Sequence, residues 1–317
     1  MEPTLSRCDH SIAPGLRVVP GYDRPAQSGK IARVTDRLAA FTEDKLDRIV
    51  RKRWQLEPIR QQMRDVVPRS VRMRLIKGIN RASGNYLSRP LYGKATYNQD
   101  GLATTHSAPF MDDPRFNDAY EAGKATGSWT FGDLHWRAHV VCWAADRGAS
   151  LPGDFVECGV NRGGYALTVF KYLSFEKLPK DFYLLDTYEG LAERYISPEE
   201  EDRGVRVGEY EPCYDAVVRT FSPYPNAKII RGVVPETLGL VETDRVAFLS
   251  LDMNTRDPEI AAAEHFWEKL TSGAAIVLDD YGWRKHREQQ RAFDDFAKRR
   301  GVQVLALPTG QGLILKP

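Results

Sequence analysis

The sequence lacks any apolar run long enough to cross a membrane. Its longest runs, such as residues 140–145 and 274–278, fall far short of the roughly 18 to 20 residues that a bilayer span requires. The first fifteen residues are polar, with Asp9, His10 and Pro14 where a secretory signal would be apolar. We therefore expect no membrane-spanning helix and no export signal, and we predict a cytoplasmic location.

Cysteine is scarce and widely spaced. The four cysteines stand at positions 8, 142, 158 and 213, and no pair has the Cys-x-x-Cys spacing. Neither a disulfide framework nor a cysteine-based zinc cluster follows from this pattern, so the cysteines are predicted to be reduced thiols. Motifs of nucleic-acid binding and internal repeats are also absent from the sequence, and no nucleic-acid partner is expected.

Apolar side chains are nevertheless plentiful, and the charge is unevenly distributed. Hydrophobic residues make up 42% of the 317 residues and charged residues 28%, which predicts a buried core and excludes a wholly disordered chain. The net charge is +2, but residues 1–100 carry 20 Lys and Arg against 10 Asp and Glu. The remaining residues carry 25 against 33, so the two parts of the chain differ in sign.

The basic excess lies in a predicted helical extension. Apolar periodicity predicts helices at about 43–63 and 68–79, and residues 51–94 hold 12 basic side chains. The basic surface is either a solvated helical face or a contact with a polyanion or, through residues 45–94, with an anionic membrane. Residues 83–113 are rich in Gly, Pro, Asn, Ser and Thr and predict a loop or lid. We place a basic helical extension with a loop-rich lid at 1–124 and a second domain at 125–317.

Short apolar runs alternate with helical segments beyond this point, which predicts an α/β fold. The last two runs are joined only by a short Pro-Thr-Gly turn, so they must form an antiparallel hairpin at a sheet edge. Asp257 and Pro258 predict the start of the helix after the fourth run, and Gly273 its end. The seven predicted strands are Phe155–Cys158, Phe182–Leu185, Lys228–Ile230, Val246–Leu251, Ala274–Leu278, Gln303–Leu307 and Leu313–Leu315.

A glycine-containing loop follows the first of these strands. It runs from Glu157 through Gly159 to Gly163 and Gly164 and then enters a helix. Asn161 stands where the dinucleotide fingerprint requires its second glycine, so that motif is broken. The loop is either a ligand-binding loop at the crevice of a parallel sheet or only a tight turn between strand and helix.

Acidic residues follow three other strands. Asp186 ends the second strand, where a carboxylate can accept hydrogen bonds from ribose hydroxyls; the alternative role is a helix N-cap. Asp252 ends the fourth strand, and Asp279 and Asp280 end the fifth. The ends of neighbouring parallel strands converge, and three converging carboxylates repel one another unless a cation joins them, which favours Mg²⁺ or a similar ion. Alternatively, they cap helices or are solvated.

These motifs resemble the macrocin O-methyltransferase-like family of class I S-adenosylmethionine-dependent methyltransferases. The resemblance covers about residues 129–316 and includes Glu157-x-Gly-x-x-Arg-Gly-Gly, Asp186-Thr-Tyr-Glu-Gly-Leu and Leu278-Asp-Asp-Tyr-Gly. It implies a Rossmann-like seven-stranded methyltransferase sheet, S-adenosyl-L-methionine, Mg²⁺ and methylation of sugar hydroxyls. The residues that it implies for metal binding are Asp252, Asp279 and Asp280. The residues assigned to the cofactor are Glu157, Gly159, Arg162, Gly163 and Asp186.

The sequence departs from the family at one position. The family commonly has Asp-Gly-Asp at the end of the fourth strand, with the second aspartate as proposed general base, whereas this chain has Asn254 there. An amide cannot take up a proton at neutral pH, so either another residue is the base or the metal alone acidifies the acceptor hydroxyl. The candidate catalytic residues are His286, His139 and Asn254.

The predicted function is metal-assisted O-methylation of a sugar or other glycan acceptor. Tyr281 and Trp283 directly follow the paired aspartates and are placed to contact a sugar face. Two alternatives stay open: a scaffold that keeps the cofactor fold without turnover, and a membrane-surface partner of a glycan-assembly pathway. A homo-oligomer is compatible with the sequence.

Overall fold

The computed structural model of the protein describes residues 95–129 and 132–317. The predicted helices at 43–63 and 68–79, and the segment 45–94 with its predicted membrane contact, lie outside these residues. The basic extension and the boundary after residue 124 therefore stay predictions. In the part of the chain that the structure describes, no helix is long and apolar enough to span a bilayer.

The strands form a small hairpin and one large sheet. The sheet has the spatial order β5-β4-β3-β6-β7-β9-β8, in which β3 to β7 are parallel and β9 is antiparallel to both β7 and β8. The predicted α/β sheet of seven strands and its antiparallel last hairpin are confirmed. The strands are β1 (Tyr97–Gln99), β2 (Leu102–Thr104), β3 (Asp154–Cys158), β4 (Phe182–Asp186), β5 (Ala227–Arg231), β6 (Val246–Leu251), β7 (Leu270–Leu278), β8 (Leu305–Ala306) and β9 (Gly312–Leu315).

Helices cover both faces of the sheet. Successive side chains of a strand point to opposite faces, so strands that are apolar throughout need a core layer on each side. Phe155 of β3 packs into one core layer with Phe170, whereas the next residue, Val156, packs into the other with Phe266 and Phe293. The helices are α1 (Pro114–Lys124), α2 (His135–Ala149), α3 (Gly164–Leu173), α4 (Pro198–Asp202), α5 (Tyr214–Phe221), α6 (Arg256–Trp267) and α7 (Arg287–Arg300). Helices α1, α2 and α3 contact one another on the first face, where α1 contributes Phe116 and Tyr120 to the core layer.

The ends of helix α6 differ from the prediction. Its N-cap is Thr255, and Asp257 and Pro258 lie in its first turn. Gly273 lies inside strand β7, which already begins at Leu270, and does not mark the helix end. Asp257 and Pro258 are favourable within the first turn of a helix as well as at its start. The sequence therefore predicted the helix correctly but placed its N-cap two residues too late.

Part of the predicted loop 83–113 is an ordered hairpin. Asp100 and Gly101 have φ values of 50° and 70° and form the two-residue turn between β1 and β2, which is the conformation that an Asp-Gly pair favours. The hairpin packs on α2, where the Trp136 backbone N–H donates to the Tyr97 hydroxyl at 3.2 Å. The hairpin thus places the side chain of Asp100 beside the ends of the central strands.

Candidate functional site

A large cleft opens at the carboxyl ends of strands β3, β4, β6 and β7. Its volume is about 1990 Å³, which exceeds the roughly 300–1000 Å³ of a pocket for one small ligand. The cleft therefore has room for a cofactor and an acceptor together. The predicted residues that line it are Glu157, Gly159, Arg162, Asp186, Asp252, Asn254, Asp279, Asp280 and His286.

The glycine loop passes unusually close to the end of strand β6. Gly159 has φ +90°, and a Cβ atom built on it would lie 2.0 Å from the carbonyl oxygen of Asp252. Gly163 has φ +85° and is the N-cap of α3, with the ring of Phe221 directly behind it. Any side chain at Gly159 would push the loop away from Asp252, so this glycine keeps the loop and the end of β6 in contact.

Asp186 holds the glycine loop. One of its carboxylate oxygens accepts hydrogen bonds from the backbone N–H groups of Val160 and Asn161 at 2.6 and 2.7 Å. The other accepts from the Tyr188 backbone N–H at 2.6 Å and from the Thr187 hydroxyl at 3.3 Å. The carboxylate is therefore an organiser of the loop, a role that the sequence did not suggest, and its contact with ribose stays a prediction.

Glu157 and Arg162 lie on either side of this loop. Glu157 is buried, and burial, reinforced by the charges of Asp186 and Asp279, raises its pKa well above the usual value. Arg162 lies at the cleft surface and pairs with the exposed Glu211 at 3.0 Å. Exposed ion pairs are weak, so this arginine can exchange its partner for an anionic group of a ligand.

Three carboxylates meet beside the loop and form what we call the acidic centre: Asp252, Asp279 and Asp280. Each offers an oxygen atom, and these atoms lie within 4.8 Å of one another. Burial and the neighbouring carboxylates raise the pKa of Asp252 well above its usual value, and burial and Asp279 raise the pKa of Asp280 to about 7. The predicted convergence of these strand ends is present in the structure.

The oxygens of the acidic centre have different partners. Asp279 accepts from Arg137 at 2.6 Å and from Gln311 at 3.0 Å, while Asp252 accepts from Asn254 at 3.2 Å. One oxygen of Asp280 is buried without a hydrogen-bond partner among the described residues. A buried oxygen without a donor in an all-oxygen cluster fits a hard divalent cation, which takes oxygen ligands.

Arg137 is a buried neighbour of the acidic centre to which the sequence analysis assigned no role. Its side chain is buried and bridges Asp279 to Asp100 of the β1–β2 turn, with a nitrogen to oxygen distance of 2.7 Å on the Asp100 side. It also donates to the carbonyl oxygen of Thr309 at 3.0 Å. Its partners lie 37, 142 and 172 residues away in the chain, so no local pattern in the sequence connects them.

The candidate catalytic residues occupy different environments. His286 is buried in the cleft lining, with its Nε2 atom 3.8 Å from Asp280, and burial followed by Lys285 lowers its pKa to about 4. Asn254 has φ +57° and lies beside Asp252. His139 does not line the cleft: its ring stacks on Phe110 with a centroid distance of 4.1 Å. The helical position of His139 directs it into an aromatic cluster, so we assign it no role in the cleft.

Glu259 lies behind the acidic centre. It is buried and accepts from the Met253 backbone N–H at 2.9 Å, and burial followed by the charge of Asp280 raises its pKa to about 8. Since its pKa is about 4.3 in an unfolded chain, the metal-free fold loses stability as the pH rises from about 4.3 to 8.

The substitution Glu259→Gln tests this environment. We expect the variant to be more stable than the wild type at pH 8 by on the order of 2 kcal/mol in chelator, with a difference that shrinks toward pH 5. Thermal unfolding between pH 5 and 8.5 measures it, and Glu193→Gln is the control because Glu193 is exposed. If the stability difference between Glu259→Gln and the wild type is constant across this pH range, the pKa of Glu259 is not raised by its buried position.

The strand order, the glycine loop and the acidic strand ends define a Rossmann-like domain of the class I methyltransferase type. The chain belongs to the macrocin O-methyltransferase family, whose model (Macrocin-O-methyltransferase, TylF) matches residues 137–306. This confirms the family expected from the sequence motifs.

Similar proteins include two curated sugar O-methyltransferases. The 8-demethyl-8-(2,3-dimethoxy-alpha-L-rhamnosyl)-tetracenomycin-C 4'-O-methyltransferase of Streptomyces olivaceus is 26% identical over 161 residues, which are 48% of this chain and 60% of that protein. The mycinamicin III 3''-O-methyltransferase of Micromonospora griseorubida is 23% identical over 165 residues, 48% of this chain and 63% of that protein. The chain thus spans less than two thirds of the length of either relative.

A solved structure of the O-methyltransferase NovP also resembles the chain. It has a TM-score of 0.48 and 17% sequence identity, with coverage of 57% of this chain and 79% of NovP. The fold assignment rests on the strand order described above, and the family assignment rests on the match to residues 137–306.

Proposed function

We propose that the protein is an S-adenosylmethionine-dependent O-methyltransferase that methylates a hydroxyl of a sugar or glycosylated acceptor with the help of a divalent metal ion such as Mg²⁺. The observation that carries this proposal is the shared border of the glycine loop and the acidic centre, where Gly159 lies against the Asp252 carbonyl. A methyl donor on the loop and a hydroxyl at the carboxylates would be neighbours there. The family membership and the activities named for the two relatives support the same reaction.

The residues around the loop are suited to hold the methyl donor. Gly159 lines the cleft and lets the loop lie against the Asp252 carbonyl, whereas Gly163 does not line the cleft and gives way to the ring of Phe221. Asp186 fixes the loop by accepting hydrogen bonds from its backbone amide groups. We assign Arg162 to the carboxylate of the methionine moiety and Glu157 to the cofactor side of the cleft. Since methyl transfer is an in-line displacement, the main task of these residues is to fix the position and orientation of the donor.

The acidic centre is suited to hold the metal ion. Asp252 and Asp280 supply oxygens that are not engaged by cationic side chains, whereas Asp279 shares its charge with Arg137. A bound divalent ion would lower the pKa of the acceptor hydroxyl and favour its deprotonated form. The protein orients two of the three carboxylates by hydrogen bonds: Arg137 and Gln311 donate to Asp279, and Asn254 donates to Asp252.

The acceptor proton needs a destination, and His286 is the best-placed group. Its imidazole lies at the cleft and is neutral at pH 7, so a ring nitrogen is open to the acceptor proton. Its low pKa makes it a weak base that passes the proton on to solvent readily. Asn254 cannot accept a proton and acts instead as a hydrogen-bond donor to Asp252. We therefore propose His286 as proton acceptor and Asn254 as a positioning residue for Asp252.

A product assay tests the proposed function. The full chain is incubated with methyl-labelled S-adenosylmethionine, Mg²⁺ and a panel of methyl glycosides that includes methyl α-L-rhamnopyranoside, and the products are separated by mass spectrometry. We expect a single added methyl group on a hydroxyl of at least one glycoside. Calorimetry with S-adenosylhomocysteine is run in parallel, and cofactor binding without any methylated glycoside would contradict the proposal.

The two alternatives from the sequence have no specific support in the described residues. A scaffold without turnover does not require the convergence of three carboxylates, and the segment 45–94, with its predicted membrane contact, lies outside the described residues. The cytoplasmic location and a homo-oligomeric state stay predictions.

A further inference from the structure

One exposed aromatic side chain lines the cleft. Trp283 is 47% exposed and lies at the rim, three residues after Asp280. The other large hydrophobic side chains that are exposed among residues 95–129 and 132–317 all lie outside the cleft lining. Single exposed apolar residues are common on protein surfaces, so the exposure of Trp283 does not by itself indicate a binding role. Its position at the cleft and the contacts that hold its ring indicate one.

The indole ring of Trp283 is held in place from several directions. Gly310 approaches its edge so closely that a Cβ atom there would lie 2.6 and 2.7 Å from two ring atoms. The guanidinium carbon of Arg137 lies 5.1 Å from the ring centroid, over one face. The Trp283 backbone N–H donates to the Asp280 carbonyl at 3.0 Å. The ring is thus fixed relative to the acidic centre before any ligand binds.

Tyr281 has a different environment, although the sequence placed both aromatic residues against a sugar. It is buried in the core layer with Phe293, and its hydroxyl donates to Asp294 at 2.6 Å. Its ring is therefore occupied by packing. Of the two predicted sugar contacts, only Trp283 presents an aromatic surface to the cleft.

We propose that Trp283 is the acceptor platform: the apolar face of a pyranose ring stacks on the face of the indole opposite Arg137, which directs a ring hydroxyl toward the acidic centre. This inference rests on the proposed function and specifies how that site selects its substrate. The C–H groups on one face of a pyranose are weakly positive and match the negative face of an aromatic ring. Because the ring is already fixed, stacking costs little side-chain entropy.

Kinetics of Trp283→Ala and Trp283→Leu test the platform with methyl α-L-rhamnopyranoside as acceptor. Loss of one aromatic stacking partner is expected to raise the acceptor KM about tenfold in both variants. The leucine variant keeps apolar bulk against Gly310, and Trp283→Phe is expected to stay within about threefold of the wild type. Affinity for S-adenosylhomocysteine should not change. Trp143→Ala is the matched control, since Trp143 is 46% exposed on α2 and does not line the cleft.

Saturation-transfer NMR of the same glycoside with S-adenosylhomocysteine gives a second reading that requires no turnover. If the wild type methylates the glycoside and the alanine and leucine variants keep its KM and its saturation transfer, the platform is wrong and the proposed function stands. If the wild type binds without methylating any glycoside and both variants lose the signal, the platform stands and the proposed function fails. If the wild type neither binds nor methylates the glycoside, both the platform and the proposed function are overturned.

Discussion

Asp252→Asn is expected to lower the turnover of methyl transfer by about 10³-fold, since the proposed metal-assisted step, worth several kcal/mol, would lose a ligand. The same change is expected to stabilise the metal-free protein by roughly 1–2 kcal/mol, because it removes one of three mutually repelling carboxylates. Activity and stability should therefore change in opposite directions. Steady-state kinetics with Mg²⁺ and thermal unfolding in chelator measure the two effects.

Asp215→Asn is the control for this prediction, because Asp215 is exposed on α5 and does not line the cleft. It should leave both quantities unchanged. Asp280→Asn should behave like Asp252→Asn, as both side chains belong to the proposed ion site. Full turnover of Asp252→Asn, or of the wild type in excess chelator, would remove the metal from the mechanism.

Arg137→Met is expected to reduce the free energy of unfolding by about 3–5 kcal/mol, which is the cost of leaving a buried charge without its partner. The change removes the cation that Asp100 and Asp279 share, while both carboxylates stay buried. Urea unfolding of the metal-free protein measures the loss. Mg²⁺ should restore more stability to this variant than to the wild type, because the ion replaces part of the missing positive charge.

Two comparisons make the Arg137 prediction specific. Arg194→Met removes an exposed pair with Glu236 and should not change stability measurably. The double variant with Asp100→Asn should be less destabilised than the sum of its two single changes, because the paired charges are then removed together. Equal stability of Arg137→Met and the wild type would mean that the buried bridge contributes nothing.

The strands of the sheet could be predicted because they are continuous apolar runs with helices between them. Val246–Leu251 is buried at every position, and such a run has few alternatives to a central parallel strand. The joint position of Asp252 and the Asp279–Asp280 pair followed from the same reasoning, since the carboxyl ends of parallel strands share an edge.

The hairpin and its link to the site could not be predicted in the same way. Asp100 and Gly101 carry a local turn signal, but their strands have only three residues each, too few to show a period. The bridge through Arg137 depends on tertiary contacts with distant segments. His139 and Tyr281 illustrate the converse error: a position near the site in sequence does not determine whether a side chain points into the cleft or into the core.

The most direct test of the central claim is a calorimetric titration of the full chain with Mn²⁺ in the presence of S-adenosylhomocysteine. The three-aspartate site predicts saturable binding of one ion per chain that is lost in Asp280→Asn and retained in Asp215→Asn. No saturable binding by a wild-type protein that does bind S-adenosylhomocysteine, or equal binding by Asp280→Asn, would contradict it.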